Sequence, residues 1–322
     1  MQQTFIVEQL KIRLDRYLAE QLPEISRSRI QRDIEGGQVS VNGQPAMESK
    51  FVVRQGDSVS YQPAQQKEAG LQPTNTPLKV LYHRHGLLII DKPAGLTVHP
   101  GAGFKGETLA SALLYNFRDI RLVGEEHRPG IVHRLDKDTS GVILVATSPE
   151  MYVYLKDAFA ERKIKKEYLA LAAGRLDHPA GLIEAPIGQS RTDFRKQTTK
   201  DPLRPKPALT EYRVLERLRH GVDEYTLLLV KLHTGRTHQI RVHLASLGHP
   251  LLGDTRYAGR RGMLAGLNRQ FLHAKKIEVR LPASPDANQG GPDGTWIEAE
   301  SELPDDLREV LKSLNSQTVN NL

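Results

Sequence analysis

Residues 62–77 read QPAQQKEAGLQPTNTP, with three prolines, no aromatic side chain and one large aliphatic residue. Such a stretch offers nothing to a hydrophobic core and resists both helix and sheet, so it is expected to be a linker. One continuous fold is therefore not expected. The chain should build a small unit over 1–62, a linker over 63–77 and a main unit over 78–322. Its 322 residues accommodate both units.

The chain has no cysteine. That removes disulfides, thiolate metal sites, iron–sulfur clusters and cysteine nucleophiles together. The apolar runs 87–90, 142–146 and 168–173, the last the longest at six residues, fall far short of the ~20 residues that span a bilayer. The opening MQQTFIVEQLKIRLD has no long apolar stretch and no small-residue cleavage site. No signal peptide is expected, and the expected location is the cytoplasm. Lys and Arg number 45 against 38 Asp and Glu, a net charge of +7. The excess is gathered in SRSRIQR (26–32), RKIKK (162–166) and KLHTGRTHQIRVH (231–243), none of which holds an acid. Such clusters favour a polyanion partner, nucleic acid first.

In the small unit, Leu14, Tyr17, Leu18 and Leu22 mark one face of a helix that Pro23 ends. A second helix is expected with Ser26 or Ser28 as its cap, Ser28 and Gln31 fitting a capping box. Ile30 and Ile34 form its apolar stripe, and Gly36-Gly37 stops it. VSVNG (39–43) then alternates into an Asn-Gly hairpin turn. The run RLDRYLAEQLPEISRSRIQRDIEGGQVSVNG resembles the S4 RNA-binding domain over about residues 13–60. That resemblance implies a small α/β RNA-binding domain whose second helix turns Arg27, Arg29 and Arg32 toward RNA phosphates.

In the main unit, strands are expected over 79–82, 87–90, 141–146, 168–173, 210–218, 225–232 and 277–281. Helices are expected over 108–115, 151–162, 239–247 and 305–314. Ser148 and Pro149 open the helix whose buried stripe is Met151, Leu155 and Phe159. Runs of strands between occasional helices indicate an α+β fold with a mixed sheet.

Three motifs fail on context. GAGFKG (101–106) has the glycine spacing of a dinucleotide loop, but no strand leads into it. His238 and His243 are five apart, so they miss the pair spacing of a zincin helix, and no metal site is expected. Asp136-Lys137-Asp138-Thr139 matches the D-x-D-x-T of haloacid-dehalogenase phosphotransferases. A cation and a histidine interrupt the apolar run that should precede it.

RPGIVHRLDKDTSGVILVA (128–146) sets Asp136 on a loop before a strand, two residues after Arg134. An aspartate acting as nucleophile or base must stay ionised while partly desolvated, and an adjacent Arg serves that end. LHTGRTHQIRVHLASLGHPLLGD (232–254) is a second dense polar segment. Residue types for gripping phosphates, filling a vacated stack and stacking on a flipped base are all present. They do not by themselves identify the reaction.

HRLDKDTSG closely matches the core motif of the RluA-type pseudouridine synthases. LLIIDKPAGLTVHPG (87–101), KKEYLALAAG (165–174) and TGRTHQIRVHLASLGHPLLGD (234–254) follow the same family in the same order. With an S4-like unit in front, the chain resembles the RluD-like branch, which acts on large-subunit ribosomal RNA. The resemblance implies a pseudouridine-synthase-type α+β fold with a mixed, mainly antiparallel central sheet and flanking helices. It implies that Asp136 attacks or deprotonates the target nucleoside, that Arg241 pairs with it, and that Tyr168 stacks on the flipped uracil. Arg134 fills the space that the uridine leaves, while Arg236 and His238 help hold the backbone. The implied reaction isomerises uridine to pseudouridine with no cofactor and no metal, and the implied partner is ribosomal RNA, helix 69 being the expected target. Two alternatives stay open: a non-catalytic RNA-binding or assembly factor, and the Asp-based phosphotransferase. SRTDFRKQTTKDPLRPKP (190–207) departs from the compact segment the family suggests, and SPDANQGGPDGTW (284–296) is looser than expected.

Overall fold

A computed structural model describes residues 3–23, 25, 27–62, 71–101, 104, 106–259, 267–282 and 294–316. The chain forms two compact units, Met1–Gly70 and Leu71–Leu322. The linker residues 63–70, Ala102, Gly103 and Lys105 of the glycine motif, and residues 283–293 lie outside the described residues, as does Ser26. The side chain of Ser28, the other expected cap, is also outside them.

The first unit runs β1 (Gln3–Ile6), β2 (Lys11–Arg13), α1 (Leu14–Gln21), α2 (Arg27–Glu35), β3 (Val39–Val41), β4 (Gln44–Pro45), β5 (Val52–Arg54) and β6 (Ser58–Tyr61). The strands form a sheet of order β1-β6-β3-β4 and a separate β2–β5 pair. Leu14, Tyr17 and Leu18 from α1 meet Ile30 and Ile34 from α2 in one buried cluster. The hairpin turn has Asn42 at φ 51° and Gly43 at φ 80°, the paired positive values that match strand twist.

Arg27 and Arg29 are not free cations on α2. Arg27 donates to the buried carboxylate of Asp15 at 2.9 Å, which also accepts from Arg13 and Gln31. Arg29 donates to Asp33 at 2.8 Å, and the Tyr61 hydroxyl donates to the same carboxylate at 2.6 Å. These bonds fix how the two guanidinium groups are presented and neutralise part of their charge. Arg32 is exposed.

The second unit continues β7 (Lys79–Arg84), β8 (Leu87–Lys92), α3 (Leu109–Asn116), β9 (Gly124–Glu125), β10 (Arg128–Pro129), β11 (Ser140–Ala146), α4 (Pro149–Ala160), β12 (Lys165–Ala173), β13 (Ala180–Glu184) and β14 (Ile187–Gln189). It then runs β15 (Gln197–Thr198), β16 (Leu203–Lys206), β17 (Leu209–His220), β18 (Asp223–Leu232), α5 (Gln239–Ser246), β19 (Leu272–Arg280), β20 (Trp296–Glu300), α6 (Asp305–Ser313) and β21 (Asn315–Ser316). The main sheet has the order β13-β17-β18-β12-β19-β11-β8-β7, with β20 on β19 and β21 on β17. Only β11 and β19 pair in parallel, at Ser140↔His273 and Gly141↔Ala274; the other pairs are antiparallel. The sheet is thus mixed and mainly antiparallel, with helices against it.

Both faces of this sheet are covered at β8 and β11, which is why 87–90 and 142–146 are continuously apolar. Along β12, Tyr168, Ala170 and Ala172 belong to one core and Leu171 to the other. The period of two thereby fixes the face on which Tyr168 lies. Helix α4 opens as its sequence indicates: the Ser148 side chain accepts from the Met151 N–H, with Pro149 in the first turn. Gly141 sits at φ 113°, and a Cβ there would lie 2.1 Å from the Ala274 carbonyl oxygen. Only glycine lets β11 and β19 approach so closely.

Segment 190–207, whose sequence departs from the compact segment the family suggests, forms regular structure here. It contributes β15 and β16 to a three-stranded sheet of order β15-β14-β16. Pro205 is accommodated because β16 is an edge strand, where a missing N–H leaves no ladder bond unmade.

Candidate active site

Asp136 lies on a tight turn closed by Thr139 N–H donating to the Asp136 carbonyl at 3.1 Å, immediately before β11. The turn is held from below by Lys92, at the end of β8 and fully buried. Its ammonium donates to the carbonyls of Pro93 (2.8 Å), Leu96 (2.9 Å) and Lys137 (3.0 Å). Burial lowers the Lys92 pKa to about 7, against the pull of Asp138 and Asp136. Three carbonyls around one nitrogen match the three donors of an ammonium.

The partner comes from far along the chain. Arg241, on α5, donates from Nη1 to Asp136 Oδ2 at 2.9 Å. Its other edge is taken by Asp254, with Nε to Oδ2 at 2.7 Å and Nη2 to Oδ1 at 2.9 Å. Asp254 is fully buried and also accepts from the backbone N–H groups of Arg256 and Tyr257. The fork of Asp254 therefore leaves one guanidinium nitrogen aimed at Asp136. Burial works against the charge of Arg241, but hydrogen bonds and the negative charges of Asp254 and Asp136 outweigh it and raise its pKa. The Tyr257 ring lies 5.1 Å from the guanidinium carbon.

Gln239 fixes the approach to α5. Its side-chain oxygen accepts from Thr234 Oγ1 (2.8 Å) and Arg236 N–H (3.0 Å), and its amide donates to the Leu209 carbonyl (3.0 Å) and Thr210 Oγ1 (2.9 Å). The next residue back, His238, is held at φ 57°. Its Nδ1 is 2.7 Å from the Tyr257 hydroxyl, which also accepts from Gln197 N–H at 3.0 Å. The phenol's own proton is then directed to Nδ1, which puts the imidazole proton on Nε2. Nε2 is 3.9 Å from Asp136 Oδ1. Burial lowers the His238 pKa to about 4, so the ring is neutral at pH 7.

Asp136, Gln239, His238 and Arg241 line a cavity of about 480 Å³ with Tyr168, Arg134 and Arg236. That is within the usual range of a small-molecule site. Its lining has one carboxylate, Asp136, against Arg128, Arg134, Arg162, Lys166, Arg236 and Arg241. Tyr168 is buried, and burial together with the Asp136 charge raises its phenol pKa. It is protonated at neutral pH. Arg134 is exposed at the cavity and has no carboxylate within ion-pair distance among the described residues. The cation that meets Asp136 is thus Arg241, not its neighbour Arg134. Arg236 donates to the Pro207 carbonyl at 3.1 Å. The ring of His133 faces Phe159 at 4.6 Å, and its Nε2 accepts from Leu144 N–H at 2.8 Å. Arg27, Arg29 and Arg32 belong to the other unit. Among the described residues, no three His, Asp or Glu side chains converge as a metal-ligand set.

A sequence profile described as RNA pseudouridylate synthase matches residues 86–246, and an S4 domain profile matches residues 12–59. An uncharacterized RNA pseudouridine synthase of Aquifex aeolicus is 36% identical over 328 residues, covering 98% of this chain and 97% of that one. The chain belongs to the RNA pseudouridine synthase family. The ribosomal large subunit pseudouridine synthase D of Vibrio parahaemolyticus is 37% identical over 321 residues, covering 96% of this chain and 93% of its own. Among solved structures, human RNA pseudouridylate synthase domain containing 1 superposes with a TM-score of 0.54 at 27% identity, covering 76% of this chain and 98% of that one. Membership makes the chain an RNA-modifying isomerase. In this pseudouridine synthase, Lys92, Gln239, Asp254 and Tyr257 are site residues that sequence reasoning passed over. The signal for Asp254 was its place at the end of the quoted 234–254 block.

His133 and His238 give the synthase an acid limit. Burial holds His133 at about 3 and His238 at about 4, against about 6.5 in an unfolded chain. Between pH 6.5 and 4 the unfolded chain binds protons that the folded chain does not. Their contribution is full above pH 6.5 and is lost as pH falls through that window. The urea midpoint is expected to fall between pH 6.5 and 4 at constant ionic strength. His133→Gln, which keeps an acceptor for Leu144 N–H, is expected to shallow that fall. A slope unchanged by the substitution contradicts the assignment.

Proposed function

We propose that this pseudouridine synthase converts specific uridines of large-subunit ribosomal RNA to pseudouridine, with the helix 69 stem-loop as its target, and that Asp136 is its catalytic carboxylate. The observation that carries this reading is the Asp136–Arg241 contact of 2.9 Å in a cavity with no other carboxylate in its lining. The ribosomal address is supported by the similarity to the Vibrio enzyme's full length. The S4 match supports a structured RNA as partner.

In the reaction the C1′–N1 bond of uridine breaks, the freed base turns, and C1′ joins C5. The C5 proton leaves and N1 gains one, so no atom is added overall. Asp136 acts on the nucleoside as nucleophile or base, held ionised by Arg241. Such a group must approach to about 3 Å in a site that excludes water, because water would divert the step to hydrolysis. Tyr168 stacks on the everted uracil and, being protonated, has a proton to move. Arg134, exposed at the cavity, fills the stack that the base vacates. Arg236 and His238 flank the entering strand. Flipping costs a few kcal/mol, which stacking and phosphate contacts offset.

Comparing pseudouridine positions in ribosomal RNA from cells with and without the protein tests the address. Loss at large-subunit sites supports it, and an unchanged map refutes it. For chemistry, Tyr168→Phe is expected to bind RNA normally while turnover falls by roughly 10²-fold. Tritium release from [5-³H]uridine RNA measures this. Full-rate release by the variant confines the ring to stacking.

A further inference from the structure

The turn that carries Asp136 is held from a second side, opposite in sequence to Lys92. Arg269, buried just before β19, donates from Nη1 to the Asp138 carbonyl at 3.1 Å and to Ser140 Oγ at 3.4 Å. Beside it, the Gln270 amide donates to Thr139 Oγ1 at 3.1 Å. His273 Nε2 donates to the Ser301 carbonyl at 3.1 Å, so its Nδ1 accepts from the Ser140 hydroxyl at 3.0 Å. Residues 138, 139 and 140 are thus each tied to the segment 269–273. Thr139 N–H closes the turn on the Asp136 carbonyl, so a shift of that segment moves Asp136.

Arg269 is in turn gripped by helix α6. Its Nε donates to Asp306 Oδ2 at 2.6 Å and its Nη2 to Asp306 Oδ1 at 2.9 Å. The fork takes one edge of the guanidinium and leaves Nη1 for the turn. Arg241 is arranged alike, with Asp254 on one edge and Nη1 on Asp136. Arg269 holds the Asp306 carboxyl below the usual carboxylate range. Helix α6 is fixed by Leu307, Val310 and Leu314, which share a core with Leu171, Leu252 and Phe271. Among the described residues, neither Arg269 nor any residue of α6 lines the cavity that holds Asp136.

The same segment meets the other half of the pair. Phe271 N–H donates to the Leu252 carbonyl at 2.7 Å. At Gly253, φ 73°, a Cβ would stand 2.0 Å from the Arg269 carbonyl oxygen. Asp254, which orients Arg241, follows directly. Residues 269–273 therefore join the backbone that presents Asp136 to the backbone that presents Asp254. A carboxylate and a guanidinium from distant segments stay aligned only while those segments share a frame. A misplacement of about 1 Å, set far from the chemistry, costs about 10²-fold in rate.

We propose that Arg269 is a positioning residue for Asp136, and that helix α6, through Asp306, sets the alignment of that carboxylate with Arg241 and so the rate of the chemical step. The proposal rests on the reading of Asp136 as the catalytic carboxylate. It gives the C-terminal helix a task in turnover without any contact with RNA.

The probe is an unmodified large-subunit ribosomal RNA transcript carrying [5-³H]uridine, read by tritium release and by filter binding. Arg269→Met and Asp306→Ala are each expected to lower kcat at least tenfold, with KM and Kd within threefold of wild type. Asp306 is 46% exposed, so its truncation opens no cavity. Arg269→Lys, which keeps a charged donor for Asp306 and for the Asp138 carbonyl, is expected to recover most of the loss. The double variant should be no slower than Arg269→Met alone, because both changes break one contact. Amide exchange over 137–140 is expected to quicken in Arg269→Met. Leu113→Ala, a cavity in the buried face of α3, controls for lost stability and should keep wild-type kcat. Wild-type kcat in Arg269→Met, a loss confined to KM or Kd, additive losses in the double variant, or an equal loss in Leu113→Ala overturns the clamp. Wild-type protein that binds the transcript but releases no tritium, or Asp136→Asn that keeps full release, overturns the reading of Asp136 instead.

Discussion

Asp136→Asn is expected to leave no detectable pseudouridine while RNA binding stays within a few-fold of wild type. The asparagine keeps a carbonyl oxygen for Arg241 Nη1, now 2.9 Å from Asp136 Oδ2, so the turn and its anchor on Lys92 persist. What disappears is the negative charge and the lone-pair reactivity of a carboxylate. Removing a group that acts directly on the reacting atoms removes the chemical step rather than the complex. Tritium release and filter binding on one preparation separate the two. Product at the wild-type rate ends the case for Asp136 and returns weight to a binding-only role.

Arg241→Met is expected to have the largest combined effect, on turnover and on stability. The guanidinium bridges Asp136 and the fully buried Asp254, so its removal strands one carboxylate in the interior and leaves the other without its counter-charge. Breaking a buried pair from one side costs about 3–5 kcal/mol. Adding Asp254→Asn to Arg241→Met is expected to restore part of that stability, because no ionised group is then left buried at position 254. Turnover is expected to stay lost, because Asp136 still lacks its cation. Urea unfolding of the two variants gives the stability comparison. A single variant as stable as wild type would show that the pair does not bridge the two segments in solution.

Much of this was legible in the chain. The runs 87–90 and 142–146 read as buried strands because sheet faces covered on both sides leave no polar alternation. Helix α4 was readable at its start because Ser148 and Pro149 are local signals that need no tertiary partner. The short strands β15 and β16 were not readable. Two to four residues with prolines among them carry no period to detect. The site split along the same line. Asp136 stood out within its own motif, yet the nearby Arg134 is not what neutralises it. Its partner Arg241 lies 105 residues away; the family resemblance named it, but no local pattern reports that distance. Asp254 was hidden because its donors, Arg241 and the two backbone N–H groups after it, become meaningful only once α5 has docked. Lys92 looks like an ordinary lysine ending a strand, and only its three carbonyl partners reveal the anchor.

The parallel pairing of β11 with β19 has a bearing on how the enzyme comes into being. It joins backbone segments 133 residues apart, as the Ser140–His273 contact records. Closing so long a loop is entropically slow, and a chain emerging from synthesis cannot attempt it before residue 274 exists. The helices and hairpins of the first half can mature early, but the reactive centre is born late. A truncated translation product therefore carries an RNA-affine front end without any means of altering what it holds.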